Sequence, residues 1–161
     1  MKNSVCRADG RVVGLRAVLA LGMAALLVGG CSKDVKDQVC FQSACYDVEV
    51  VADGRSRMRG LQGRTELGKQ AGMLFIFQES WPFRFWMKDT LIPLDMIWLD
   101  AVRKVVYVEH DVPPCQADPC PNYGPSQAAL YVLELNAGET ARLGLKAGDQ
   151  MVFHLDKYLG K

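Results

Sequence analysis

Short apolar or alternating runs, each closely followed by a turn signal, constrain the fold of this chain more than any other feature. Residues 46–52 alternate in part and end at Asp53-Gly54, which is typical of a strand that leads into a turn. Residues 72–77 are apolar without interruption, as in a strand that is covered on both faces. Further strands are predicted at residues 83–89, 94–100, 104–110, 129–135 and 150–155, and short helices at residues 55–63 and 138–143. The sequence therefore predicts a mainly β fold of the α+β class, a small and mostly antiparallel barrel or sandwich with one or two short helices.

The beginning of the chain has the pattern of a secretory signal. Residues 1–16 carry four basic side chains and one acidic one, and residues 17–30 carry no charge. The uncharged stretch is shorter than the roughly 20 residues that a membrane-spanning helix needs. Small residues then precede Cys31, and this ending resembles the lipobox of bacterial lipoproteins. The resemblance implies cleavage before Cys31 and attachment of lipid to its thiol. The alternatives are an uncleaved anchor or a buried helix with a chance cysteine.

A lipidated Cys31 would hold the protein at a membrane without a spanning helix. Acyl chains contribute about 0.8 kcal/mol per buried methylene, and more than one chain gives stable attachment. Ser32 follows the cysteine where aspartate would favour the inner membrane, so the lipoprotein resemblance implies the outer membrane of a Gram-negative bacterium. We expect a signal peptide over residues 1–30, a lipidated tether over residues 31–39, and one β-rich periplasmic domain over residues 40–161.

The charge that remains after such cleavage is slightly negative. The whole chain has 19 basic and 18 acidic residues, and residues 1–30 hold 4 of the basic and 1 of the acidic ones, which leaves a net charge of about −2. A nucleic-acid partner would call for a clustered basic surface. The composition therefore argues against nucleic-acid binding.

Four cysteines of the predicted domain form two pairs of equal spacing: Cys40 with Cys45, and Cys115 with Cys120. In an oxidising compartment disulfides are the expected state, and each local bond would contribute roughly 2 kcal/mol. Cross-pairing of the two segments stays open, because sequence does not determine connectivity. A zinc site with four thiolates is the other alternative, although zinc ligands more often stand two to four residues apart. Several prolines surround the second pair, which favours a stiff, braced loop.

Residues spread over most of the predicted domain match one known family. The matching positions are Arg59-Gly60-Leu61, Arg64, Gly72-Met73-Leu74-Phe75, Phe85-Trp86-Met87-Lys88-Asp89-Thr90, Ile92-Pro93-Leu94-Asp95, Cys115, Cys120, Tyr123, Glu134-Leu135 and Ala137-Gly138. From about residue 46 to residue 153 the chain resembles the bacterial and archaeal domain-of-unknown-function family 192. It departs from that family at Gln62, where methionine is common, and at Asp89, where asparagine or a similar residue is common. The resemblance implies a compact β-rich fold and no established reaction.

Strand alternation sorts the side chains of the central motif. Trp86 and Lys88 share one face of their predicted strand, and Asp95 lies on an otherwise apolar face of the next one. A carboxylate on an apolar face needs a partner, because burying it alone is costly. Lys88 is the nearest candidate in sequence, and Arg59 and Arg64 are others.

These residues lead to the hypothesis of a polar and aromatic cleft that binds a ligand. The candidate residues are Arg59, Arg64, Trp86, Lys88, Asp95 and Glu134. Arginine forks suit carboxylate and phosphate groups, and a tryptophan face suits a sugar ring or a cation. The alternative for Asp95 is a structural role, either capping a turn or pairing with Lys88. Glu134, in another apolar strand, presents the same ambiguity.

Enzyme templates fit the sequence poorly. The two histidines, His110 and His154, are far apart and form no zinc signature, and no serine or free cysteine stands in a nucleophile motif. No catalytic residue, metal or cofactor is therefore predicted. We expect a noncatalytic, membrane-anchored binding module of the cell envelope for a small polar or anionic ligand, a glycan or an envelope protein. The alternatives are a small hydrolase or transferase that uses Lys88 and Asp95, and a structural or assembly accessory.

Overall fold

The computed structural model describes residues 36–155, so the predicted signal and Cys31 lie outside the described part. The strands in chain order are β1 (Gln38–Phe41), β2 (Ala44–Val51), β3 (Ala71–Trp81), β4 (Phe85–Trp86), β5 (Leu94–Leu99), β6 (Val105–Val112), β7 (Asn122–Tyr123), β8 (Ala129–Asn136) and β9 (Val152–His154). The helices are α1 (Gly54–Arg59), between β2 and β3, and α2 (Glu139–Leu143), between β8 and β9. Within these residues no helix is both long and apolar enough to cross a membrane.

Seven strands form one curled sheet in the order β6-β5-β8-β3-β2-β1-β9, which closes into a half-barrel. The pair β2–β3 is parallel, and the other neighbouring strands in this sheet are antiparallel. Strands β4 and β7 form a separate small antiparallel sheet. The prediction of a mainly β fold with short helices is confirmed.

The large sheet is covered on both faces, as the uninterrupted apolar run in β3 predicts. Met73, Leu74 and Phe75 are all buried, although successive side chains of a strand point to opposite faces. Leu74 packs in one apolar cluster with the side chains of β1, β2 and β9. Met73 and Phe75 pack in a second cluster with Met96 and Trp98 of β5. The second face is the one that carries the candidate site.

Both cysteine pairs form local disulfides, which confirms the favoured reading of their spacing. Cys40 and Cys45 face each other across the β1–β2 hairpin, and their bond closes it. Cys115 and Cys120 brace the loop that connects β6 to β7. The cross-paired and zinc-bound alternatives are therefore wrong for these four thiols.

Two predicted segments differ from the structure. The tether was expected to extend to residue 39, but β1 begins at Gln38 and Val39 is fully buried, because β1 is held between β2 and β9. The strand predicted at residues 83–89 is reduced to β4. It lies outside the large sheet and pairs with β7 alone, and the chain then turns at Asp89, which has a positive φ of 55°.

The buried carboxylate of Asp95 connects three elements. It accepts hydrogen bonds from the backbone N–H of Asp111 at 2.9 Å and from the backbone N–H and hydroxyl of Thr140 at 2.7 and 2.6 Å. In the β5–β6 register, Asp95 stands opposite a β-bulge formed by His110 and Asp111. Asp111 has a φ of 49°, so the carboxylate holds the bulge as well as the start of α2. The role of Asp95 is structural, and the expected pairing with Lys88 is wrong.

Replacing Asp95 with alanine should destabilise the protein by roughly 3 kcal/mol, because hydrogen bonds to a charged group are lost and Thr140 keeps buried donors without an acceptor. The free energy of unfolding, measured by urea denaturation of the full chain, tests this. Glu66→Ala is the matched control, since Glu66 is exposed and forms no side-chain hydrogen bond within residues 36–155. An equal and small loss in both variants would contradict the structural role of Asp95.

Candidate functional site

A cavity of about 410 Å³ lies between α1, β3, the small sheet and β8. Its volume falls in the range of about 300–1,000 Å³ that is usual for small-molecule sites. Phenylalanines at positions 75, 77, 83 and 85 form much of its wall, together with Trp86. The cavity is thus an aromatic cleft on the second face of the large sheet.

The aromatic wall is well packed. The rings of Phe77 and Phe83 stack at 3.6 Å between centroids, and Phe85 meets Phe75 edge-on at 4.9 Å. Such offset and edge-on pairs contribute about 0.5–1.5 kcal/mol beyond the area they bury. Trp86 is 44% exposed, so part of its ring remains free to contact a ligand.

The position of α1 beside the cavity is determined by its two ends. At the beginning, the side chain of Asp53 accepts from the backbone N–H groups of Arg55 and Ser56, both at 3.0 Å. At the end, Gly60 has a φ of 47°, and a Cβ at this position would lie 3.4 Å from the Phe75 ring. The helix is therefore capped before the cavity and turns tightly over its aromatic wall, which glycine permits.

Glu134 is the most buried polar residue of the cavity wall. It belongs to β8, and its register partners are Met73 of β3 and Met96 of β5. The residue is 5% exposed, and within residues 36–155 its carboxyl group has no hydrogen bond and no ion pair. Burial raises the pKa of Glu134 to about 8. Near neutral pH it is therefore mostly a neutral acid, with one O–H donor and a free carbonyl acceptor facing the cavity.

Three arginines line the same cavity, and two of them are engaged. Arg57 donates to the carbonyl oxygens of Ala52 and Ile76 and lies 5.0 Å from the centre of the Phe77 ring. Arg84 donates to the carbonyl oxygens of Gly124 and Asn122 and so holds the small sheet over the cavity. The third, Arg59, is exposed, and its guanidinium group has no partner within the described part of the chain.

A second compartment of about 310 Å³ adjoins the first. Arg59, Gly60 and Gln62 line both compartments, so the two are continuous around the end of α1. The second compartment is polar, and it also contains Arg64, whose Nη2 lies 2.6 Å from Oε2 of Glu49. Both partners of this ion pair are partly exposed, so the pair contributes little to stability.

The structure brings together three of the six predicted cleft residues, Arg59, Trp86 and Glu134, in one cavity. Arg64 lies in the adjoining compartment. Lys88 and Asp95 line neither compartment. The Nζ of Lys88 is 3.6 Å from Oδ2 of Asp118 and 5.9 Å from the centre of the Trp86 ring.

Sequence reasoning missed the phenylalanine wall and the turn at Gly60. Phe75 and Phe77 were visible only as members of an apolar strand, and Phe83 and Phe85 only as one face of another. The dense aromatic spacing in both segments was the available signal. Among residues 36–155, no three His, Cys, Asp or Glu side chains are grouped so that they would hold a metal ion.

Comparison with known proteins places this site in a family context. The profile of DUF192, described as uncharacterized ACR, matches residues 37–153. A protein of unknown function from Novosphingobium aromaticivorans is similar in structure, with a TM-score of 0.65 and 31% identity over 73% of this chain and 84% of that one. A Sinorhizobium meliloti protein described as a "putative transcription regulator" has a TM-score of 0.66 and 29% identity over 75% of this chain and 98% of that one. None of the curated proteins matches this chain.

The buried acid predicts a pH dependence of stability. Because the pKa of Glu134 is raised from 4.5 to about 8, the unfolded chain releases this proton more readily than the folded one. The contribution to stability is complete below about pH 4.5 and is lost as the pH rises through 8, at roughly 1.4 kcal/mol per pH unit in between. The other charged side chains of this cavity are Arg57, Arg59 and Arg84, which stay protonated throughout.

Urea denaturation between pH 4 and 9 tests this dependence with Glu134→Gln, which cannot ionise. The variant should become more stable than the native protein as the pH rises above 5, and the two curves should converge at pH 4. Glu49→Gln, on the exposed rim of the polar compartment, is the control and should keep the native slope. Parallel curves for Glu134→Gln and the native protein would rule out a buried neutral acid.

Proposed function

Because this chain belongs to the DUF192 family of uncharacterized proteins, we propose its function from the site itself: a noncatalytic binding module of the cell envelope that takes a small ligand into the Glu134 cavity. The ligand has a planar or apolar body, which packs against the phenylalanine wall and Trp86. It also carries a hydrogen-bond acceptor, which meets the protonated carboxyl group of Glu134.

One observation carries this proposal: a buried carboxyl group faces an open, aromatic cavity without a partner in the described chain. Burying such a group unpaired costs free energy, so buried polar groups are normally hydrogen-bonded. A ligand acceptor at this position would recover that cost on binding. The arrangement of an apolar wall with a few convergent polar groups is the usual one for small-molecule sites.

The ligand chemistry follows from the groups around the cavity. Trp86 offers a partly exposed aromatic face, which suits a flat ring or the apolar face of a sugar. Glu134 as a neutral acid can donate one hydrogen bond and accept another, so it suits a carbonyl or hydroxyl group. Both properties agree with a small organic molecule or a glycan unit.

The cellular location is proposed from the sequence. A lipid on Cys31 would anchor the domain at a membrane, and Ser32 favours the outer membrane. At most roughly 25 Å of extended chain would separate Cys31 from β1, since a residue spans up to about 3.6 Å. The cavity would therefore sample ligands close to the membrane surface in the periplasm.

A thermal-shift screen of the full chain against envelope sugars, organic anions and metal ions tests ligand binding. A ligand of the cavity should raise the melting temperature, because it binds only the folded state. Trp86→Ala and Glu134→Gln should each lower the affinity of that ligand by about tenfold, in keeping with one lost aromatic contact or one altered hydrogen bond. Leu91→Ala, an exposed apolar residue outside both compartments, is the matched control.

The controls separate binding from other roles. Stabilisation that persists unchanged in both cavity variants would contradict the assignment of the ligand to this cavity. If the bound compound were chemically converted during the assay, and Glu134→Gln stopped the conversion, Glu134 would act as a proton donor. The protein would then be an enzyme, with Glu134 in place of the expected Lys88 and Asp95.

Replacing Cys31 with serine tests the anchor. The native protein should appear in the detergent-soluble membrane fraction and carry the added mass of acyl chains, whereas Cys31→Ser should lack that mass. Cys6→Ser is the control, since Cys6 lies within the predicted signal and should have no effect. Fractionation and mass spectrometry of the intact protein measure both properties. An unmodified native protein would contradict the lipid anchor.

A further inference from the structure

We propose that the ligand is a singly charged organic carboxylate that bridges both compartments, with its ring or apolar body in the Glu134 cavity and its carboxylate against Arg59. This inference rests on the proposed function and adds the class of ligand. It combines the continuity of the compartments, the free guanidinium group of Arg59 and the charge balance of the polar compartment.

The two compartments meet at Arg59, Gly60 and Gln62, which line both. A ligand that fills the aromatic compartment of about 410 Å³ therefore has a direct path into the polar one of about 310 Å³. Gly60 has no side chain to separate the two, and its positive φ of 47° disfavours any residue that would add one. The boundary thus suits a molecule with an apolar end and a polar end.

Arg59 is the cation available to such a ligand. Arg57 and Arg84 are held by backbone carbonyl groups, and Arg64 pairs with Glu49. Within residues 36–155, the guanidinium group of Arg59 has neither an ion pair nor a hydrogen bond. A planar guanidinium presents two parallel N–H donors, which match the two oxygens of a carboxylate.

The charges around the polar compartment fit one negative charge. Arg59 and Arg64 are cationic and Glu49 is anionic, so the compartment has one cation in excess. Glu134, in the other compartment, is mostly neutral near pH 7 and does not repel an anion. The carboxylate end is therefore favoured at Arg59, whereas an acceptor on the body of the ligand can meet Glu134.

The experiment compares 2-naphthoate with its neutral analogue 2-naphthamide. Both have the same flat body, and they differ in the charge that would meet Arg59. Isothermal titration calorimetry of the full chain in a fixed concentration of nonionic detergent, at pH 7 and low salt, measures the two affinities. We expect 2-naphthoate to bind at least about tenfold more tightly, since charge-assisted hydrogen bonds exceed neutral ones.

Variants identify the group responsible. Arg59→Gln should remove the preference for 2-naphthoate and leave the affinity for 2-naphthamide nearly unchanged. Arg55→Gln is the matched control, because Arg55 is an exposed arginine of the same helix that lines neither compartment. The control should keep the preference.

The outcomes distinguish this inference from the proposed function. Equal affinities for the two compounds, both lowered by Trp86→Ala, would overturn the carboxylate class and retain the cavity as a binding site. A preference that survives Arg59→Gln would overturn the role of Arg59. Binding that Trp86→Ala leaves unchanged, or no binding of either compound, would overturn both proposals for ligands of this kind.

Discussion

Strand β8 is paired along both edges, with β3 and β5, and the rest of the molecule depends on this central position. Its side chains alternate between two covered faces, so Leu133 and Leu135 fill one apolar cluster and Val132 belongs to the other. Glu134 shares the face of Val132 and cannot leave it without breaking the ladder. The sheet therefore holds a carboxyl group in an apolar region, and the adjoining cavity is where that group can find a partner.

The two buried acids of the sheet show how the same residue chemistry takes opposite roles. Asp95 is fully buried and accepts from three donors, so its charge is satisfied and it stabilises the bulge and α2. Glu134 is 5% exposed and has no partner within the described residues, so burial keeps it protonated. A satisfied acid has little capacity left for a ligand, whereas an unsatisfied one retains all of it. This difference moves the candidate site from Asp95 to Glu134.

Local signals in the sequence were sufficient for much of the fold. The strands near residues 94–100 and 129–135 and both short helices were predicted within a few residues, because periodicity and turn residues act over short distances. The disulfides were also favoured, since each pair closes a short loop. The strand at residues 83–89 was overpredicted, because its alternating pattern does not reveal that β4 has only β7 as a neighbour.

The sequence by itself determined which segments form strands, which side chains share a face, and that Asp95 and Glu134 would be carboxyl groups on apolar faces. Only the tertiary structure decided which of them is satisfied, because the donors to Asp95 come from Thr140 and Asp111 in other elements. It likewise brought Arg59 and Trp86 to the same cavity as Glu134. These contacts depend on strand order and register, and the free energy that sets them is spread over the whole core.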